Sequence, residues 1–110
     1  MMRLILICGT RKAGYRDVVN AQLALIEHPF ELIEGCCPMS ADEWAEAYAE
    51  KNDIKVNHFP SNKGNYLRRN IEMVDIADEV IAFWDGYSYG TAHTIALAVK
   101  KGIPIRIIGV

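Results

Sequence analysis

The sequence lacks a long hydrophobic run. No apolar stretch approaches the roughly 20 residues that cross a bilayer. The apolar start, MMRLILICG, is shorter than a signal peptide and passes at once into Gly-Thr-Arg-Lys. A membrane partner is therefore not expected, and the expected compartment is the cytoplasm. An excess of positive charge is also missing. The formal net charge is -2, whereas a chain that coats nucleic acid is usually basic overall. Cysteine is scarce: Cys8, Cys36 and Cys37 show no CxxC spacing, and an odd count supports neither a disulfide framework nor a zinc site. There is no HExxH, no histidine–cysteine cluster and no paired-carboxylate signature, so no metal and no cofactor are expected. Linkers, repeats and low-complexity segments are absent, and 110 residues make one domain.

What is present is alternation. RLILICG is a continuous apolar run, as in a strand covered on both faces. Tyr15 to His28 carries Val19, Leu23 and Ile26 at helical spacing, and Pro29 blocks continuation. FELIEG is the second strand. Ser40 to Glu43 reads S-x-x-E, a capping box, and opens a helix with Ala41, Trp44, Ala45 and Tyr48 on one face that ends near Asn52. IKVNHF is a third, alternating strand placed near an edge. The next helix carries Leu67, Ile71 and Val74. EVIAFWD is the fourth strand. The last helix presents Ala92, Ile95, Ala96 and Val99 and stops at Gly102, before the fifth strand, PIRIIGV. The pattern βαβαβαβαβ predicts an α/β, Rossmann-like three-layer sandwich: a five-stranded parallel sheet in the order 3-2-1-4-5 with helices on both faces. Ligands of such sheets bind beyond the C-terminal ends of the strands, where the order reverses. The loops to inspect are Gly9 to Gly14 and Asp85 to Thr91.

In GTRKAGYR, the spacing G-x-x-x-x-G is followed by Tyr15 and Arg16, where a P-loop needs Lys and Ser or Thr. The run is not GxGxxG either. Gly9, Thr10 and Arg11 remain as candidates at the tip of the first strand. A guanidinium there suits bidentate contact with phosphate or carboxylate, or is simply a solvated charge. In DGYSYGT, Gly86 and Gly90 permit close backbone approach, and Gly90 and Thr91 stand at a helix start where free N–H groups favour an anion. Ser88 adds a hydroxyl, and Asp85 could accept from a sugar hydroxyl. The alternative is a plain tight turn. Lys63, Arg68 and Arg69 cluster at another helix start; adjacent arginines diverge by about 100°, so one can face the crevice while the other is solvated. His93, in the first turn after Gly90-Thr91, is a candidate acid or base or a packing residue. Tyr87 and Tyr89 could stack on a base.

GTR after strand one, EGCCPMSADEWAEAYA, and FPSNKGNYLRRNIEMVDIADEVIAFWDGYSYGTAHTIALA together resemble the YspA/YpsA-related branch of the SLOG superfamily, over almost the whole chain. That branch typically carries GSR in the first loop, which matches Arg11 in GTR, and a GGA-x-GAD element after strand two. GCCPMSAD keeps Gly35 and Asp42 of that element and loses a glycine. The resemblance implies a Rossmann-like domain that binds a nucleotide or a nucleotide-derived ligand such as NAD or ADP-ribose, to sense or sequester it. Some members occur in phages and defence systems, and relatives often form homodimers or higher oligomers. Gly90, Thr91 and Ser88 would meet phosphate, Arg11 and Arg69 would neutralise it, and Asp42 and Asp85 would orient sugar hydroxyls or loops. The superfamily also holds phosphoribohydrolases with a PGGxGTxxE motif. The alternative function is therefore N-glycosidic hydrolysis or transfer on a nucleotide. Aligned on Gly90-Thr91, however, the catalytic glutamate falls on Thr94, which has no carboxylate to serve that chemistry.

Overall fold

The computed structural model describes residues 2–62 and 64–110, so Lys63 lies outside the described residues. Five parallel strands, β1 (Arg3–Gly9), β2 (Phe30–Glu34), β3 (Val56–His58), β4 (Glu79–Trp84) and β5 (Ile105–Gly109), alternate with four helices: α1 (Arg16–Ala24), α2 (Ala41–Lys51), α3 (Tyr66–Ile76) and α4 (Tyr89–Lys101). The sheet order is β3-β2-β1-β4-β5, the expected α/β sandwich.

The central strands are apolar on both faces because both faces are covered. Ile5 and Ile7 pack with Val19, Leu23, Trp44 and Ala45 under α1 and α2. Leu6 and Cys8 pack with Met73, Val74 and Ala98 under α3 and α4. Successive strand residues point to opposite faces, so one seven-residue strand supplies both cores. Burial pushes the Cys8 thiol far up, and Cys8 is a core residue.

Two helical faces differ from expectation. On α3 the buried residues are Asn70, Met73 and Val74, whereas Leu67 and Ile71 are exposed. On α4 they are Thr91, Thr94 and Ala98, with Ile95 partly packed and Val99 exposed. The apolar positions of each helix span more than one face, and the sheet selects the face that also lets α3 and α4 meet each other. On α1 the helix ends at Ala24 rather than His28, with the Leu25 N–H closing onto the Gln22 carbonyl and the Ile26 N–H onto the Leu23 carbonyl. The α2 cap is half of the expected box. Ser40 Oγ accepts from the Asp42 N–H at 3.2 Å, while its hydroxyl donates to the Cys37 carbonyl and Glu43 points to solvent. The stop at Gly102 is as expected: its φ of 81° is left-handed, and its N–H reaches the Ala98 and Val99 carbonyls. Lys101 Nζ gathers the Val74, Asp75 and Ala77 carbonyls, 2.6–3.1 Å away, at the C-terminal end of α3. No helix among the described residues is long and apolar enough to cross a membrane.

Candidate functional site

A cavity of about 680 Å³ opens beyond the C-terminal ends of β1 and β4, the strands on either side of the point where chain order reverses. That volume suits a small organic ligand. One wall is the start of α4. The first hydrogen bond of α4 runs from the Ala92 N–H to the Ser88 carbonyl, so the N–H groups of Tyr89, Gly90 and Thr91 precede the helical ladder. All three residues line the cavity. A Cβ built on Gly90 meets nothing within 4 Å. The space in front of this helix end is open.

Arg11 and Arg69 bring positive charge to the same cavity. Arg69 is held firmly. Its Nη1 donates to the Gly35 carbonyl at 2.7 Å, its Nε donates to Asn70 Oδ1, and the guanidinium lies over the Tyr66 ring at 5.8 Å. A Cβ on Gly35 would sit 2.5 Å from Arg69 Nη1, so a side chain there would push the guanidinium out of this position. Arg68 is solvated beside Glu72, which resolves the arginine pair as the 100° divergence implied. Arg11 is exposed, and its Nη2 donates to Cys37 Sγ at 3.2 Å.

Asp42 closes the back of the cavity from the first turn of α2. It is 6% exposed, and its Oδ2 accepts from the Gly35 and Cys37 N–H groups, both at 3.2 Å. Burial, followed by the nearby Glu34 carboxyl, pushes its pKa up to about 7 against the opposing pull of those N–H groups and Arg69.

The remaining expected site residues build loops rather than face the cavity with free polar groups. Thr10 is buried. Its N–H donates to the Phe83 carbonyl, and its Oγ1 accepts from the Asp85 N–H and lies 3.0 Å from Ser88 Oγ. Asp85 Oδ1 accepts from the Tyr87 and Ser88 N–H groups and from the Ser88 hydroxyl. Those N–H groups hold its carboxyl down at about 2. Thr10, Asp85 and Ser88 thus tie the β1 and β4 loops together. Gly86 turns the exposed loop tip at a φ of 86°. Its residue is not among those lining the cavity, nor is Asp85. His93 packs beside the site, with Nδ1 3.3 Å from Asn70 Nδ2. Thr94 is buried and donates to the Gly90 carbonyl.

Gly9 has a packing reason. A Cβ there would lie 2.7 Å from the Tyr15 hydroxyl, 2.9 Å from Ala41 Cβ and 3.1 Å from the Phe83 carbonyl oxygen. The Tyr15 hydroxyl donates to the Thr10 carbonyl and accepts from the Ala41 N–H. Its ring sits edge-on to Trp44 and stacks on Phe83. The residue that breaks the P-loop pattern therefore latches the first loop to the start of α2, and burial drives its phenol up to about 12. Gly9→Ala is expected to cost about 1–3 kcal/mol through overpacking, read as a lower urea midpoint with an unchanged slope. An unchanged midpoint would mean that the Tyr15 latch is not in place.

Sequence reasoning missed Tyr66, Leu67, Asn70, Met73, Cys37 and Thr94 as cavity residues. Asn70 carried a usable signal, a polar residue on the buried side of α3. In the loop after β2, Cys36 adopts a φ of 60°, a left-handed conformation that glycine adopts more readily. Cys36 and Cys37 are both free thiols. Compared with known proteins, the chain matches no family model and no curated sequence.

Proposed function

We propose that the chain binds a nucleotide or nucleotide-derived ligand of the NAD or ADP-ribose kind, and senses or sequesters it. One observation carries this reading. The unpaired N–H groups at the start of α4 open onto a cavity that Arg11 and Arg69 also line, with open space at Gly90. A phosphate there meets backbone donors, the positive end of the helix and two guanidinium groups together. The apolar rim of Tyr66, Leu67 and Tyr89 gives a base a surface to stack on. The resemblance to the SLOG superfamily supports the same ligand class. Exposed Leu67 and Ile71 support self-association, which light scattering would read.

The test is a thermal-shift screen against mononucleotides, NAD, ADP-ribose and cyclic nucleotides, with each ligand followed by chromatography. A ligand of the folded state raises the melting temperature by mass action. A shift with intact ligand is expected, and no shift with any of these compounds would sink the reading. Within it, Gly35→Ala is expected to displace the Arg69 guanidinium and weaken binding about tenfold, the order of one charge-assisted hydrogen bond. An unchanged affinity in calorimetry would remove Arg69 from the site.

A second reading, cleavage or transfer of an N-glycosidic bond, is favoured by Asp42 alone. A carboxyl that keeps its proton to about pH 7 is suited to protonate a departing base. Free base in the screen, lost in Asp42→Asn, would establish it.

A further inference from the structure

The two edges of the sheet are built differently. β3 is three residues long, follows exposed Lys55 and leads to exposed Pro60. A short strand flanked by lysine and proline resists pairing with another chain. β5 is longer, IRIIG, with a single charged residue. That residue, Arg106, is drawn back to Gln22 Oε1 on α1 at 2.9 Å. β5 is the outermost strand. On its inner side the Pro104 carbonyl accepts from the Val80 N–H, and the Val110 N–H donates to the Trp84 carbonyl. The N–H and C=O groups of successive strand residues point to alternate sides. Arg106 and Ile108 therefore also face β4, while Ile105, Ile107 and Gly109 turn theirs outward. Pro104 turns its carbonyl to β4 and does not block this edge. Ile107 is 49% exposed.

The helix above this edge is apolar on its outer flank. Thr91, Thr94 and Ala98 face the sheet, and Lys101 reaches across to the end of α3. At about 100° per residue, Ala92, Ile95, Ala96 and Val99 fall on the side away from α3, toward the β5 edge. No charge interrupts them. Ala96 is exposed, and Val99 is 64% exposed.

We propose that a second copy of this chain docks here, with β5 pairing antiparallel to its counterpart about a two-fold axis and the two α4 helices meeting above the junction. Hydrogen bonding and charge select the same register. An axis perpendicular to the sheet at Ile107 sets Ile107 opposite the partner's Ile107, and Ile105 opposite the partner's Gly109. These are the residues whose backbone groups turn outward, so each pair exchanges both hydrogen bonds. Arg106 then stands opposite the partner's Ile108. An axis at Arg106 would set two guanidinium groups against each other, a destabilising cross-strand pair. It would also oppose residues whose backbone groups already serve β4. On the α4 side, the short side chains of Ala92 and Ala96 let the two helices approach, and Val99 fills the contact. The surface is separate from Leu67 and Ile71 on α3, and it does not depend on what the cavity binds.

The test is sedimentation velocity on the full chain over a concentration series, with hydrogen exchange read amide by amide. A dimer is expected. Ala96→Glu brings two carboxylates to the junction from an exposed helix position. Ile107→Pro removes an outward N–H and no bond to β4. Each should weaken the dimer at least about tenfold, with circular dichroism unchanged. In the parent dimer the Ile105, Ile107 and Gly109 amides should exchange at least about tenfold more slowly than in the Ala96→Glu monomer. That reading of the contact needs no substitution in β5. Leu67→Ser combined with Ile71→Ser should leave the dimer intact. A monomer at every concentration overturns the proposal. So does a dimer that survives both Ala96→Glu and Ile107→Pro, or one whose three outward amides stay unprotected. Loss of the dimer in the α3 double variant places the contact on α3 and also overturns it.

Discussion

A chain carrying Gly90→Val is expected to unfold at the same urea concentration as the parent and to bind the ligand found by thermal shift at least about 100-fold more weakly. The two halves of this result have separate causes. A Cβ at Gly90 meets nothing within 4 Å, the residue is not in a left-handed conformation, and valine is no worse than glycine in a helix. The fold therefore has no reason to respond. A phosphate bound at the start of α4 must approach the Gly90 N–H at hydrogen-bond distance, and the branched side chain would occupy that approach. Calorimetric titration reads the affinity, and a urea series reads the stability. Full affinity in the variant would move the phosphate elsewhere. A lowered urea midpoint would contradict the open space at Gly90.

The second large effect belongs to Asp42. Its carboxyl keeps a proton to about pH 7 in the folded chain, against 3.8 for the ordinary group. Between those values the folded state binds more protons than the unfolded state, so stability falls as pH rises. The contribution is complete below about pH 4 and is lost as pH passes through about 7. Over that window it amounts to at most about 4 kcal/mol. Burial also raises Glu34, with the same sign. Arg69 and the Gly35 and Cys37 N–H groups oppose the shift in Asp42. Asp42→Asn keeps an oxygen for both N–H groups and removes the titration. Urea midpoints of the parent should fall from pH 5 to pH 8, and those of the variant should fall much less. Equal slopes would assign the dependence to Glu34 instead. Anion affinity should follow the same direction, because a neutral Asp42 leaves the two arginines unopposed. ADP-ribose is the suitable probe, as it has no phosphate group titrating in that range.

The strands were legible because a strand covered on both sides must be apolar at every position, and RLILICG and EVIAFW say so without reference to anything distant. The loop from Asp85 to Thr91 was legible as the place where strand and helix meet at the reversal of order. The roles within it were not. Asp85 and Ser88 look like ligand groups in sequence, yet their partners are Thr10 and the loop's own N–H groups, which only the β1–β4 pairing brings near. The faces of α3 and α4 were misread for a related reason. Leu67, Ile71 and Val99 are as apolar as the residues that were buried, and the choice between faces depends on how two helices meet. Tyr15 looked like the failure of a P-loop, and its role as a latch depends on Ala41, 26 residues away.

The pairing of β1 with β4 has a consequence for the order of events in folding. Ile5 lies opposite Glu79, so the central ladder closes only after most of the chain exists, and distant closures of this kind are slow. The β1-β2-β3 half can assemble on shorter loops. The cavity lies across that late seam, with Asp42 on one side and the start of α4 on the other. A ligand bound there, as proposed, would act only on the finished molecule, slowing its unfolding rather than speeding its folding.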